Sequence, residues 1–171
     1  VKWGVWSSTE YLQLMRPALE LKHEFPQLQL TGPACIDFEY LPVIAALNVL
    51  PGNFRFNALS HFLYVDRRGA PENKQGYFST LEKSAMIRAL AQWSKHTEDR
   101  VIISEVNWPV KHTTIWSPIG CPYETPNWRR IQPGESDEDY ASYMLRFLAI
   151  TLCSGHVEQV FWWRLSAHGY G

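Results

Sequence analysis

One carboxylate stands where a buried strand is predicted to end. Val101, Ile102 and Ile103 form a run of β-branched residues, which is typical of a strand buried on both faces. Ser104 and Glu105 follow directly. Because ligands in α/β folds bind beyond the carboxyl ends of the strands, Glu105 is a candidate for acid, base or nucleophile chemistry. The alternative is a solvated residue at a strand end, which is the commoner situation for a lone Glu.

Other kinds of catalytic site find little support in the sequence. The six His residues and three Cys residues are scattered without the spacing of metal ligands, so we expect no metal. No Gly-rich phosphate loop and no nucleophile elbow is present, so we expect no nucleotide cofactor and no Ser-His-Asp chemistry. The odd number of Cys is a poor disulfide framework, and we interpret Cys35 and Cys153 as core thiols.

The composition is that of a single globular domain. The chain has 171 residues, of which 46% are hydrophobic, and a net charge of −1, so neither a nucleic acid nor a membrane is an expected partner. No apolar run is long enough to span a bilayer, and no signal peptide is visible. The chain begins without Met, and we therefore expect a piece of a longer polypeptide. Eight Trp residues, many in predicted loops, suit the apolar faces of sugar rings or serve as ordinary loop anchors.

Helices and strands alternate in the predicted secondary structure. Capping residues at 7–9 open a first helix, which Pro17 should kink or restart and Pro26 ends. The third helix should bury one apolar face made of Leu81, Ala85, Met86, Ala89, Leu90 and Trp93. Strands are predicted at residues 28–31, 56–64, 101–106 and 157–165, and further helices at residues 41–50 and 137–153.

This alternation predicts an α/β fold built from parallel βα units. A doubly wound sheet and a (β/α)8 barrel both fit the pattern. A closed barrel of the second type needs eight strands and about 250 residues, so four strands are too few to complete it.

Five segments together suggest a family. They are Trp6 with Glu10-Tyr11-Leu12 and Phe25-Pro26, then Leu30-Thr31-Gly32-Pro33-Ala34, Ser60-His61-Phe62-Leu63-Tyr64, Ile103-Ser104-Glu105-Val106-Asn107-Trp108, and Phe161-Trp162-Trp163. In this order the chain resembles the C-terminal half of a (β/α)8-barrel glycoside hydrolase of the large retaining clan, closest to xylosidase- and iduronidase-type members. His61 and Tyr64 depart from the family's spacing by one extra residue.

The resemblance implies a partial TIM barrel. Residues 1–171 would form a single domain that supplies barrel strands five to eight, with the N-terminal half absent. Glu105 would be the nucleophile of retaining hydrolysis of a carbohydrate substrate, and the acid/base Glu would lie just before Val1. Glu10 and Glu39 are at plausible rims for that second carboxyl group, but neither matches the family motif.

The resemblance also gives roles to residues near Glu105. Tyr64 would hydrogen-bond the nucleophile, and His61 would face the sugar or the catalytic pair. For both, burial in the core is the alternative. Arg164 after the last strand, and Arg67 and Arg68 after the second, could bind the carboxylate of an anionic sugar, although solvated ion pairs are commoner.

Several Trp residues are candidates for contact with the sugar. Trp162 and Trp163 point in opposite directions along a strand, so at most one of them can face the barrel interior. Trp108, Trp116 and Trp128 lie in the long loop after Glu105 and are candidates for stacking on sugar rings.

Two other functions fit the same sequence. A non-catalytic carbohydrate-binding or degenerate barrel would keep the aromatic loops but lack one carboxylate. A half barrel could also act as a structural module, because its exposed strand edges need either the missing N-terminal half or self-association to cover them.

Overall fold

The structure, a computed structural model, describes residues 7–34, 40–64, 69–74, 77–108 and 135–163. Along these residues the elements are α1 (Ser8–Glu24), α2 (Tyr40–Asn48), β1 (Leu59–Phe62), α3 (Thr80–Trp93), β2 (Val101–Val106), α4 (Asp137–Leu152) and β3 (Gln159–Trp162). The strands form one parallel sheet in the order β1-β2-β3. The predicted α/β class and the parallel pairing are confirmed.

Three helices begin at Ser residues that cap them. The side chains of Ser7, Ser79 and Ser136 each accept a hydrogen bond from the backbone N–H three residues later. At α3 the capping box is complete, because the Glu82 side chain also accepts from the Ser79 backbone N–H at 2.6 Å. Each cap satisfies an N–H group that the helix itself leaves without a partner.

Pro17 does not restart α1. The helix continues through it to Glu24, and the Phe25 N–H closes the last turn on the Leu21 carbonyl at 2.8 Å. A proline removes one helical hydrogen bond. The flanking turns of this 17-residue helix keep theirs, so the element survives the loss.

The first predicted strand is reduced to a single bridge between Thr31 and Ala58, which is parallel. The Asn57 side chain explains the shortening, because its Oδ1 accepts the Leu30 N–H at 3.0 Å in place of a backbone carbonyl. The nearby Phe56 carbonyl is turned the other way and accepts from Glu98 N at 2.9 Å. This segment still runs alongside β1 and extends the sheet by one parallel partner.

The core lies between one side of the sheet and the helices. It is made of fully or nearly fully buried side chains from both layers, including Val43, Leu47, Leu59, Ile87, Val101, Ile103, Val106 and Phe147. We call the other side of the sheet the open face. Ser60, Ile102, Ser104 and Phe161 lie on it, because they alternate with the core residues of their strands.

α3 buries a different face from the one predicted. Leu81 and Trp93 are 48% and 61% exposed, whereas Thr80 and Ser84 are buried with Lys83, Ile87 and Ala91. The buried hydroxyls are satisfied: Thr80 Oγ1 donates to the Pro71 carbonyl at 2.6 Å and Ser84 Oγ donates to the Thr80 carbonyl at 2.9 Å. Thr80 and Ser84, with their hydroxyls bonded, can therefore pack inward beside Ile87 while Leu81 and Trp93 stay exposed.

α4 lies in the range predicted for it and buries Phe147 and Thr151 in the core. Cys153 is its C-cap and is exposed, so the core thiol predicted there is wrong. Two residues beyond the buried Thr151, the helical rotation has carried position 153 away from the core. In the part of the chain that is described, no helix is both long and apolar enough to cross a membrane.

Candidate active site

Glu105 and Tyr64 meet at the carboxyl ends of neighbouring parallel strands. Glu105 is the penultimate residue of β2, and Phe62, the last residue of β1, is its register partner. Tyr64 follows two residues later, and its hydroxyl donates a hydrogen bond to Glu105 Oε1. Both residues are half-buried. The resemblance implies this contact between Tyr64 and Glu105, and the two side chains are in contact.

A β-bulge determines how Glu105 is presented. The register advances by two residues on β2 between the partners of His61 and Phe62, and β2 also gains one residue relative to β3 before Val106. Ser104 and Glu105 are therefore not held in a regular ladder. Bulges commonly redirect a side chain beside a functional site.

Local hydrogen bonds hold the bulge. Ser60 Oγ donates to Ser104 Oγ at 2.7 Å, and the Leu63 N–H donates to the Glu105 carbonyl at 3.2 Å. Side chains alternate between the two sides of an extended chain, so Tyr64, an even number of residues after Ser60, lies on the same side as Ser60. The Glu105 carboxylate and the Tyr64 phenol therefore share the open face. The two serines were missed from the sequence, although both occupy open-face positions of adjacent strands.

His61 lies elsewhere. It is 1% exposed and alternates with Ser60, on the core side of β1 between Leu59 and Leu63. This position separates the imidazole from the face that carries Tyr64 and Glu105. The substrate contact predicted for His61 is therefore not favoured, and the alternative of a core His fits its burial.

The two Trp residues at the end of β3 lie on opposite sides of the sheet, as the alternation of side chains along a strand requires. Trp162 packs against the core, stacked on Trp108 with ring centroids 5.7 Å apart, and Trp163 is 40% exposed on the opposite side with Phe161. The Trp163 N–H donates to the Val106 carbonyl at 3.0 Å, which ties it to the end of β2. Trp163, not Trp162, therefore faces the side of the sheet that carries Glu105.

Trp108 is a core residue. It has 0% exposure, its ring packs against Tyr143 and Phe147, and its Nε1 donates to the Gly69 carbonyl at 2.9 Å. A ring with no accessible face cannot stack on a sugar, so the stacking role predicted for Trp108 is corrected to a packing role.

A chain of hydrogen bonds runs behind Glu105. Trp162 Nε1 donates to the Tyr140 hydroxyl oxygen at 2.7 Å, and the Tyr140 hydroxyl donates to Asn107 Oδ1 at 2.9 Å. Burial raises the pKa of Tyr140 above its ordinary value, and the hydrogen bond from Trp162 opposes part of that rise. The phenol therefore keeps its proton at neutral pH and remains a donor. Sequence analysis did not find this connection, which joins residues on three elements.

A cavity of about 290 Å³ opens on the same side of the sheet, toward the amino ends of the strands. Its lining is evenly mixed between polar and apolar surface, and its residues are Gln29, Thr31, Asn57, Arg100, Ser104 and Gln159, with Ala58, Ile102 and Phe161. Among the described residues no cluster of His, Cys, Asp and Glu could hold a metal ion.

Some predicted site residues lie outside the described residues: Glu39, Arg67, Arg68, Trp116, Trp128 and Arg164. Glu10 is described, and its backbone N–H and its carboxylate both bond the Ser7 hydroxyl at 3.2 Å. That geometry is a helix cap.

Comparisons with known proteins identify no matching family model, no matching curated protein and no matching solved structure. The functional argument therefore rests on the geometry of the site.

Proposed function

We propose that this chain is part of a retaining glycoside hydrolase and supplies strands five to eight of a (β/α)8 barrel. The observation that carries the proposal is the hydrogen bond from Tyr64 to Glu105 Oε1 at the carboxyl ends of two neighbouring parallel strands. Substrates of such barrels bind at that end of the strands. A phenol that holds one carboxylate oxygen leaves the other, Oε2, as the attacking atom.

The strand arrangement supports the barrel part of the proposal. The segment at Thr31, which forms a parallel bridge with Ala58 just before β1, comes first in the chain. β1, β2 and β3 then follow in chain order and are parallel, as consecutive barrel strands are. Apolar side chains are exposed on the helices at both ends of the array, at Leu14 and Leu21 of α1 and at Leu145 and Leu152 of α4. Further βα units on either side would cover them.

In the proposed reaction Glu105 Oε2 attacks the anomeric carbon and forms a glycosyl ester as the glycosidic C–O bond breaks. A second carboxyl group gives its proton to the leaving oxygen, then removes a proton from the water that hydrolyses the ester. The two carboxyl groups must be about 5–5.5 Å apart. By the family resemblance, the second belongs to the strand before this chain. Trp163, exposed on the Glu105 side of β3, is the candidate for the floor of the sugar site.

The test is covalent labelling of the full-length protein. A panel of aryl glycosides identifies the sugar that is cleaved, and the matching 2-deoxy-2-fluoro glycoside then traps the intermediate. We expect peptide mass spectrometry to find the sugar on Glu105. Glu105→Gln should lower turnover by several orders of magnitude with the fold intact, because it removes the covalent nucleophile.

Glu24→Gln is the matched control, since Glu24 is an exposed residue in the last turn of α1. It should retain the full rate. A near-normal rate in Glu105→Gln, or a label on another carboxylate, would refute the assignment.

The exposed apolar side chains of α1 and α4 also favour a second candidate, a half barrel that associates with itself. Sedimentation of the full-length protein, together with the aryl glycoside assay, separates the two. A dimer without glycosidase activity would support the structural module, and a monomer at micromolar concentration would exclude it.

A further inference from the structure

The segment that follows Glu105 is buried more completely than a loop normally is. Val106, Asn107 and Trp108 each have 0% exposure. Chain that leaves a strand usually runs over the surface. Here the polar atoms of Asn107 are carried into the core, where Oδ1 accepts two hydrogen bonds and Nδ2 is buried with no hydrogen-bond partner among the described residues.

The hydrogen bonds of Asn107 have only one consistent arrangement. The Trp108 backbone N–H can only donate, and it lies 2.7 Å from the amide oxygen, so that atom is Oδ1 and not the nitrogen. Oδ1 can only accept, so the Tyr140 hydroxyl must donate to it. The remaining partner of that hydroxyl is the indole N–H of Trp162, which again can only donate. The donor of each of these three hydrogen bonds is therefore assigned.

This chain reaches Glu105 through the backbone. The bulge takes Ser104 and Glu105 out of the regular ladder, so the carboxylate depends on anchors on either side of it. On one side Ser60 holds Ser104. On the other side Asn107, two residues after Glu105, is tied to the first turn of α4 by Tyr140.

We propose that Asn107 and Tyr140 are positioning residues for the Glu105 carboxylate, with Trp162 fixing the Tyr140 hydroxyl. The inference rests on the proposed function, because it assigns these residues to the nucleophile of that reaction. They do not touch the substrate. They set where Oε2 stands relative to the anomeric carbon, and a displacement of about 1 Å costs up to 100-fold in rate.

The test uses Tyr140→Phe in the full-length protein, with Tyr143→Phe as its matched control. Both substitutions remove one phenolic oxygen from α4 within the same aromatic cluster around Trp108 and Trp162. Only Tyr140 belongs to the hydrogen-bond chain. Tyr140→Phe should lower kcat by roughly 10- to 100-fold with KM changed less than about twofold, because attack and not binding is impaired.

Tyr143→Phe should keep the kcat of the unmodified protein. A second measurement follows the attack step directly: the rate of trapping by the 2-fluoro glycoside should fall in Tyr140→Phe in proportion to kcat/KM. Trp162→Phe, which removes the indole donor, should shift kcat in the same direction by a smaller factor.

An unchanged kcat in Tyr140→Phe, or equal losses in Tyr140→Phe and Tyr143→Phe, would overturn the positioning role. Failure of the proposed function has a different signature, since Glu105→Gln would then turn over substrate normally. The pattern that overturns this inference alone is an inactive Glu105→Gln beside a fully active Tyr140→Phe.

Discussion

Replacing Trp108 by Phe tests whether this residue is part of the core or of a sugar site. Trp108 has 0% exposure, and its Nε1 donates to the Gly69 carbonyl at 2.9 Å. The substitution leaves that carbonyl without its donor, which costs about 1–3 kcal/mol. The smaller ring also loses at least about 1 kcal/mol of buried apolar contact with Phe147 and Trp162. We expect the free energy of unfolding to fall by about 2–4 kcal/mol.

Urea unfolding followed by circular dichroism measures this loss. With a urea dependence of about 2 kcal/mol per molar, the midpoint should fall by roughly 1–2 M. Trp93→Phe is the control, because it makes the same chemical change on α3 at a side chain that is 61% exposed. Its free energy of unfolding should stay within about 0.5 kcal/mol of the unmodified value.

The opposite result is just as informative. If Trp108→Phe unfolds at the same urea concentration as Trp93→Phe while its KM for aryl glycosides rises, the side chain contacts substrate and its place in the core is wrong. A loss of stability in both variants would mean that burial does not decide the effect at these positions.

Two further outcomes are expected. Tyr64→Phe should lower kcat/KM by roughly 10- to 100-fold, because a hydrogen bond to a carboxylate contributes about 1.5–3 kcal/mol; an aryl glycoside assay that finds an unchanged value would remove Tyr64 from the site. The Ser79 backbone N–H, then the Ser79 hydroxyl, lower the pKa of Glu82. A carboxylate with a lowered folded-state pKa stabilises the fold above its unfolded pKa of about 4.3, and the effect disappears as pH falls through the folded value. Urea midpoints measured from pH 6 to pH 3 should therefore fall more steeply for the unmodified protein than for Glu82→Gln, and parallel curves would contradict this.

The sequence predicts most of what depends on local chemistry. Ser7, one of the predicted caps, begins a helix because a short hydroxyl side chain can reach the free N–H groups of the first turn. The β-branched run at Val101 forms a strand, as its residue types predict. The contact between Tyr64 and Glu105 is implied only by the family resemblance. These features need only neighbours along the chain or one register.

What depends on the choice between two faces could not be predicted. α3 carries apolar residues on two sides, and the side with Ile87 packs inward, where Thr80 and Ser84 bond backbone carbonyls. Alternation along the strand shows that Trp162 and Trp163 face opposite sides of the sheet, but only the register of β3 shows which of them faces the core. No residue type in β2 marks the position of its extra residue, although that residue sets the direction of the Glu105 side chain.

The evenly mixed polar and apolar lining of the open-face cavity has a consequence for heat capacity. Burial of apolar surface lowers the heat capacity, whereas burial of polar surface raises it. Whatever covers Thr31, Ser104 and Gln159 must bring hydrogen-bonding groups or retain water there, since buried hydroxyls and amides need partners. Covering this face should therefore give a small heat-capacity change for its area, while covering the exposed leucines of α1 and α4 should give a large negative one. Calorimetry of assembly can thus distinguish which surface of the molecule is being closed.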